Sequence, residues 1–225
     1  MIKFDFDDNF DKIENGERHC VVQECISLFD CQEKDKENTT KYIFSNLSNN
    51  KLEIVLAKVV VLNEFYSTQL NSNPPIEIKK DHSYHMDVVS MAKHIIAWDK
   101  FDEYCCSADI EKRQEAVNYI RCGDSDYREP YHKEAYSFAT KYCSWHNPNG
   151  FPIVDSYSRG MIYYLNRNLN FYKRVLTQES LNVYSVFCEA YDALSLYLQN
   201  RDKQFEYRDI DKFLWYYGKK QGIAL

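Results

Sequence analysis

From Lys51 the chain reads KLEIVLAKVVVLNEFYSTQL, apolar on nearly every side through Ile54, Val55, Leu56, Val59, Val60, Leu62 and Phe65. That pattern predicts a helix buried at the centre of the domain, although its β-branched content also suits a strand. The following NSNPPIEIKKD reads as a loop by its Asn, Ser and paired prolines, and Ser83 then stands where it can cap a helix turning Met86, Val89, Ala92 and Ile96 to one side. Next, DIEKRQEAVNYIRC predicts a short helix, CGDSDYREP a loop, and YHKEAYSFATKYCSWHN a helix that stops at Asn147 and Pro148. The loop NPNGFPIV delivers the chain to Asp155. Val183, Val186, Phe187, Ala190, Tyr191, Leu194 and Leu198 follow the three-and-four spacing of an amphipathic helix, and a closing helix turns Ile210, Phe213, Leu214 and Tyr217 inward. The first 50 residues mix charged and aromatic positions and end in SNLSNN, which suits a short strand or hairpin plus one helix around HCVVQECISLFD. No internal repeat or low-complexity tract interrupts this order.

Composition narrows the architecture. Only 6 glycines and 5 prolines in 225 residues leave little turn material for a many-stranded sheet. The expectation is therefore an all-α fold, with two helical lobes around a cleft in residues 51–225 and a short irregular N-terminal segment, residues 1–50, packing on that core. The acidic opening MIKFDFDDNF lacks a basic region followed by an apolar one, and no run of 18 apolar residues occurs. These features suggest a cytoplasmic protein with no membrane partner, whose 8 cysteines are reduced thiols. No CxxC pair occurs, and the vicinal Cys105 and Cys106 fit helix packing better than a redox couple. His82, His85 and His94 lack a Glu or Cys at a spacing that would complete a zinc site, so neither metal nor organic cofactor is expected. The net charge is −6, yet residues 131–175 hold Lys133, Lys141, Arg159, Arg167, Lys173 and Arg174 against Glu134 and Asp155, a local balance of +4. A partner responds to the local field rather than to the total.

The stretch SFATKYCSWHNPNGFPIVDSYSRGMIYYL, residues 137–165, combines a helix, a proline-bounded loop and an Asp at the start of the next helix. It resembles the catalytic segment of the helix-hairpin-helix DNA glycosylases, in which a Pro, one or two aliphatic residues and the catalytic Asp follow the hairpin's second helix, as Pro152, Ile153, Val154 and Asp155 do here. Ser137, 18 residues before Asp155, falls where the adenine-excising branch of that family has a hydroxyl residue, with Ala139 two positions on. LNEFYSTQL, residues 62–70, resembles the polar end of the family's first long helix, and DIDKFLWYYGKK, residues 209–220, its closing helix. The same segment also resembles that of an uncharacterised bacterial family. The departures are the absence of the Leu-Pro-Gly-Val-Gly hairpin, for which Gly123 is too early, the basic residue at Arg159 rather than one position later, and the lack of an iron–sulfur cysteine set.

The resemblance implies hydrolytic removal of a damaged or modified base from DNA by a monomeric protein, in repair or in defence against foreign DNA. Cleavage of an N-glycosidic bond builds positive charge on the sugar; a carboxylate beside it, Asp155, stabilises that charge and orients the attacking water. Tyr66, Tyr136, Trp145 and Tyr157 supply aromatic faces for an extruded base, with Ser67, Ser137, His146 and Arg159 as polar or DNA contacts. Lys141, one helical turn after Ser137, is the alternative amine nucleophile for a lyase reaction. Beside this stands a structural reading in which Asp155 is an ordinary helix N-cap and Ser137 a small packing residue. It corresponds to a catalytically silent helical module of the same fold that binds DNA or protein.

Overall fold

The computed structural model describes residues 4–68, 70, 87–122 and 135–225. Among these, strands β1 (Asp11–Glu14) and β2 (Glu17–Cys20) precede the helices α1 (Val21–Asn46), α2 (Leu52–Tyr66), α3 (Val88–Ala97), α4 (Phe101–Cys105), α5 (Ile110–Cys122), α6 (Tyr136–His146), α7 (Ser156–Leu169), α8 (Tyr184–Gln199) and α9 (Tyr207–Gln221). The protein is predominantly α-helical, with one small antiparallel hairpin among the described residues. Its chain forms two compact units, one of Met1–Lys34 with Pro152–Leu225 and the other of Asp35–Phe151. The boundary expected near residue 50 falls inside the second unit, in the turn between α1 and α2.

In the first unit the N-terminal segment is more regular than its sequence suggested. Asn15 and Gly16 both take positive φ, 53° and 84°, the backbone that a two-residue hairpin turn demands, and they join β1 to β2. Phe10 also has a positive φ of 59°, costly for a bulky residue, but its ring is fully buried. It stacks on Phe6 at 5.2 Å and meets Phe213 of α9 edge-on at 5.8 Å. The first half of α1 buries Val21, Val22, Cys25, Ile26 and Phe29, and Phe29 lies edge-on to Trp215 at 5.4 Å. Helix α7 packs closely at two glycines: a Cβ on Gly160 would come within 3.1 Å of Ile223 Cγ2 and 3.2 Å of the Ala224 backbone in the segment after α9, and one on Gly218 of α9 within 3.1 Å of Met161 and Tyr157. Helices α8 and α9 bury the expected faces, Phe187, Ala190, Tyr191, Leu194 and Leu198 in one and Ile210, Phe213, Leu214 and Tyr217 in the other. Val183 is exposed because it caps α8 rather than belonging to it.

The second unit begins within α1 at Asp35. Helix α2 is not buried all round as expected: Val55, Lys58, Val59 and Leu62 line one inward face while Val60 is exposed. Its C-terminus is closed locally, with Ser67 in the left-handed region and Asn63 Oδ1 accepting from Leu70 N at 2.8 Å. The expected cap Ser83 lies outside the described residues. The described helix α3 is capped by Asp87, whose carboxylate accepts from Val89 N and Ser90 N. This register turns Met91, Ala92 and Ile95 inward and leaves Val89 exposed, unlike the expected face. Helix α6 ends at Asn147 as its sequence predicts, and it buries Phe138, Ala139, Tyr142 and Cys143.

Candidate active site

Asp155 is the N-cap of α7. Its Oδ1 accepts from Ser158 N at 2.9 Å, and its own backbone N–H donates to Ser158 Oγ at 2.9 Å, a reciprocal capping box. The preceding Pro152, Ile153 and Val154 are buried, so the half-buried carboxylate is held in one orientation at the positive end of a 14-residue helix. Tyr157 leans on α9, its ring 6.3 Å from Trp215. Arg159 donates through Nη1 to Asn182 Oδ1 and through Nη2 to the Leu225 carbonyl at 2.8 Å, while its buried Nε has no hydrogen-bond partner.

Behind this segment lies a carboxyl group that the sequence reading did not single out. Asp211 of α9 is buried, and its Oδ1 accepts from Ile153 N at 3.2 Å. Burial raises the Asp211 carboxyl to about 7, and the neighbouring Asp155 charge adds to the rise; Arg208, the Ile153 amide and Tyr191 oppose it.

In the second unit, α6 carries most of the other expected site residues. Lys141 is buried and donates to Ser137 Oγ at 2.6 Å, so the two meet one helical turn apart as expected. The Arg121 guanidinium lies over the Tyr136 ring at 4.1 Å. Trp145 packs 6.1 Å from Tyr66 and 6.1 Å from Phe44, and the Tyr66 hydroxyl donates to Glu37 at 3.0 Å. Ser67 is exposed beside Tyr66. Tyr66, Trp145 and His146 are thus gathered with Phe44 in one aromatic cluster, whereas Tyr157, Asp155 and Arg159 belong to the other unit.

His146 enters a polar network whose hub, Asn49, sits in the turn between α1 and α2. Asn49 Oδ1 accepts from Lys58 Nζ at 2.9 Å and from the Tyr142 hydroxyl at 3.1 Å. Its Nδ2 donates to Asp102 Oδ1 at 3.2 Å and lies 3.2 Å from His146 Nε2. Burial, with the Lys58 charge, pulls His146 down to about 3, so the neutral ring accepts through Nε2 and carries its proton on Nδ1. Lys58 has no exposed surface, and burial lowers its amine to about 8. The Phe44 ring lies 5.0 Å from its Nζ. A lysine at an inward position of an apolar helix was the available signal for Lys58, and an acid beside Ile210 on the inward face of α9 was the signal for Asp211. No local pattern marks Asn49.

Among the described residues no group of three or more His, Cys, Asp and Glu side chains is arranged to hold a metal ion. His82 and His85 lie outside the described residues, while His94 stacks on Tyr119 at 4.0 Å and pairs with its carbonyl at 2.8 Å. Of the basic residues between 131 and 175, Lys141 is buried in the second unit; Arg167 donates to the Tyr163 hydroxyl at 3.3 Å and Arg174 pairs with Glu189 at 2.7 Å in the first. Lys133 and Gly123 lie outside the described residues. No helix among the described residues is long and apolar enough to cross a membrane.

The chain is similar to an uncharacterized protein of Haemophilus influenzae, 29% identical over 174 residues that cover 77% of this chain and 71% of the relative. No solved structure gives a significant match. Residues 21–150, more than half of the 225-residue chain, match the N-terminal domain family HI_0787_N; that match contains the whole Asn49 network and ends beside Phe151, where the second unit closes. By this match the chain belongs to the HI_0787_N family.

Proposed function

We propose that the protein hydrolyses the N-glycosidic bond of a damaged or modified base in DNA, with Asp155 as the essential carboxylate. The observation that carries this reading is the Pro152–Asp155 segment: buried backbone, a complete capping box and the α7 N-terminus hold one carboxylate in a fixed direction. Preorganisation of this kind is what stabilisation of a developing cation on a sugar requires, because the charge need not be reoriented as the bond breaks. Water is the nucleophile. Lys141 is buried and bonded to Ser137, which favours simple hydrolysis over a lyase reaction through its amine.

A second reading, a silent helical module that binds DNA or protein, draws on a different feature of the same residues. The capping box gives Asp155 a complete structural role, and Arg159 is already engaged by Asn182 and the Leu225 carbonyl. The two readings separate in an abasic-site assay on duplex and single-stranded oligonucleotides carrying a panel of damaged and hypermodified bases. Glycosylase activity predicts abasic product with the wild type and none with Asp155→Asn. Salt-dependent DNA binding without product across the panel supports the silent module instead.

A further inference from the structure

Ser27, Thr40 and Thr140 each donate a hydroxyl hydrogen to the carbonyl one helical turn back, the usual fate of a hydroxyl inside a helix. Ser137 is placed differently. It is the second residue of α6, ahead of the bond from Ala139 N to the Ala135 carbonyl at 2.8 Å that closes the first turn, so α6 offers it no such carbonyl. Its Oγ lies instead 2.6 Å from Lys141 Nζ, and among the described residues that amine is the only hydrogen-bond partner of the hydroxyl. Ser137 is half-buried whereas Lys141 is 6% exposed, so the hydroxyl is open to solvent and the amine is withdrawn behind it. The N–H groups of Tyr136, Ser137 and Phe138 have no acceptor within α6, and the N-cap Ala135 has no side-chain oxygen to cap them.

We infer that Ser137 and Lys141 form a nucleophile–base pair that hydrolyses carboxylic esters, an acyl-transfer activity independent of the glycosylase reading. A serine at the start of a helix with a lysine one turn on is an arrangement that activates a hydroxyl for acyl transfer. The 2.6 Å contact serves both proton distributions: an ammonium donates to Oγ, and a neutral amine accepts from it. In its amine form Lys141 takes the hydroxyl proton as Ser137 Oγ bonds to the ester carbonyl carbon. The negative charge this puts on the carbonyl oxygen develops at the positive end of α6. The ester C–O bond then breaks, Lys141 gives its proton to the departing alkoxide, and the acyl group stays on Oγ. Water reverses the exchange: it bonds to the acyl carbon, its proton passes through Lys141 to Ser137 Oγ, and the carboxylic acid leaves. Esters suit the pair better than amides, because an alkoxide departs more readily than the anion of an amine.

The test treats the full chain with a fluorophosphonate, which an activated serine hydroxyl attacks at phosphorus with loss of fluoride, and locates the adduct by peptide mass spectrometry. The expected result is a single phosphonyl group on Ser137, absent from Ser137→Ala. Two variants address the base. Lys141→Met keeps the stem without the amine, and Lys141→Arg keeps a positive charge that cannot deprotonate; circular dichroism identifies which of them fold. Either folded variant is expected to slow the labelling of Ser137 about a hundredfold. Turnover of p-nitrophenyl acetate supplies the second readout, with nitrophenolate release by the wild type that Ser137→Ala loses. A wild type that gains no adduct on Ser137 overturns the inference whatever the variants do. Labelling as fast in Lys141→Arg or Lys141→Met as in the wild type overturns it too, as does equal nitrophenolate release by Ser137→Ala. No DNA enters these measurements, so their failure leaves the glycosylase reading to the abasic-site assay, and the failure of that assay leaves the ester reading untouched.

Discussion

Replacing Lys58 by Met is expected to stabilise the protein, although it deletes a hydrogen bond. The Lys58 ammonium is wholly buried, donates to Asn49 Oδ1 at 2.9 Å and faces the Phe44 ring. Burial lowers the amine from 10.5 to about 8, so carrying the charge in the folded state costs about 3 kcal/mol relative to the unfolded chain, at about 1.4 kcal/mol per pH unit. The folded protein binds fewer protons than the unfolded one between those two values. The cost is therefore fully present below about pH 8 and is relieved as pH rises toward 10.5. Methionine matches the unbranched stem and carries no charge, and Asn49 Oδ1 keeps the Tyr142 hydroxyl at 3.1 Å. Subtracting about 1 kcal/mol for the lost hydrogen bond leaves a net gain of about 2 kcal/mol at pH 7. Guanidinium unfolding of both proteins at pH 7 and pH 10 measures it, because taking the difference between them cancels the other groups that titrate in that range. The gain is expected to shrink toward zero at pH 10. A variant less stable than wild type by more than about 1 kcal/mol at pH 7, or a difference that does not change with pH, refutes the reasoning.

Three further outcomes are expected. Asn49→Ala removes the acceptor shared by Lys58 and Tyr142 and leaves a buried ammonium without it, a loss of about 3 kcal/mol that thermal unfolding will register and that Lys58→Met in the same chain will partly restore. Gly160→Ala drives a Cβ to 3.2 Å from the Ala224 backbone, and the strain of about 1–3 kcal/mol exceeds the gain in helix propensity, so the C-terminal residues are expected to become more open to carboxypeptidase. A maleimide applied to the native protein is expected to label the exposed Cys31 and Cys106 first, while the buried Cys105 and Cys143 react only on unfolding, the hydrogen-bonded contact with Cys143 and then burial having pushed the Cys105 thiol upward. Mass spectrometry of the labelled peptides gives the order.

Local patterns located α5, α6, α8 and α9 and, for α8 and α9, the face that turns inward, because a repeat of three and four apolar positions leaves a helix only one side to bury. The stop of α6 at Asn147 and the placement of Asp155 at a helix start were legible for the same local reason, backbone chemistry set by neighbours in sequence. The pairing of Lys141 with Ser137 followed from helical spacing as well. Tertiary structure alone decided the rest. It turned one face of α2 inward and placed a lysine on it, and it brought Asn49, Lys58, Asp102, Tyr142 and His146 into one network from four separate stretches of chain. It set Asp211 behind the Ile153 amide, 58 residues away in sequence. Such contacts have no sequence period, because each depends on where distant elements come to rest, and the cost of burying a polar group is fixed only by the partners it finds there.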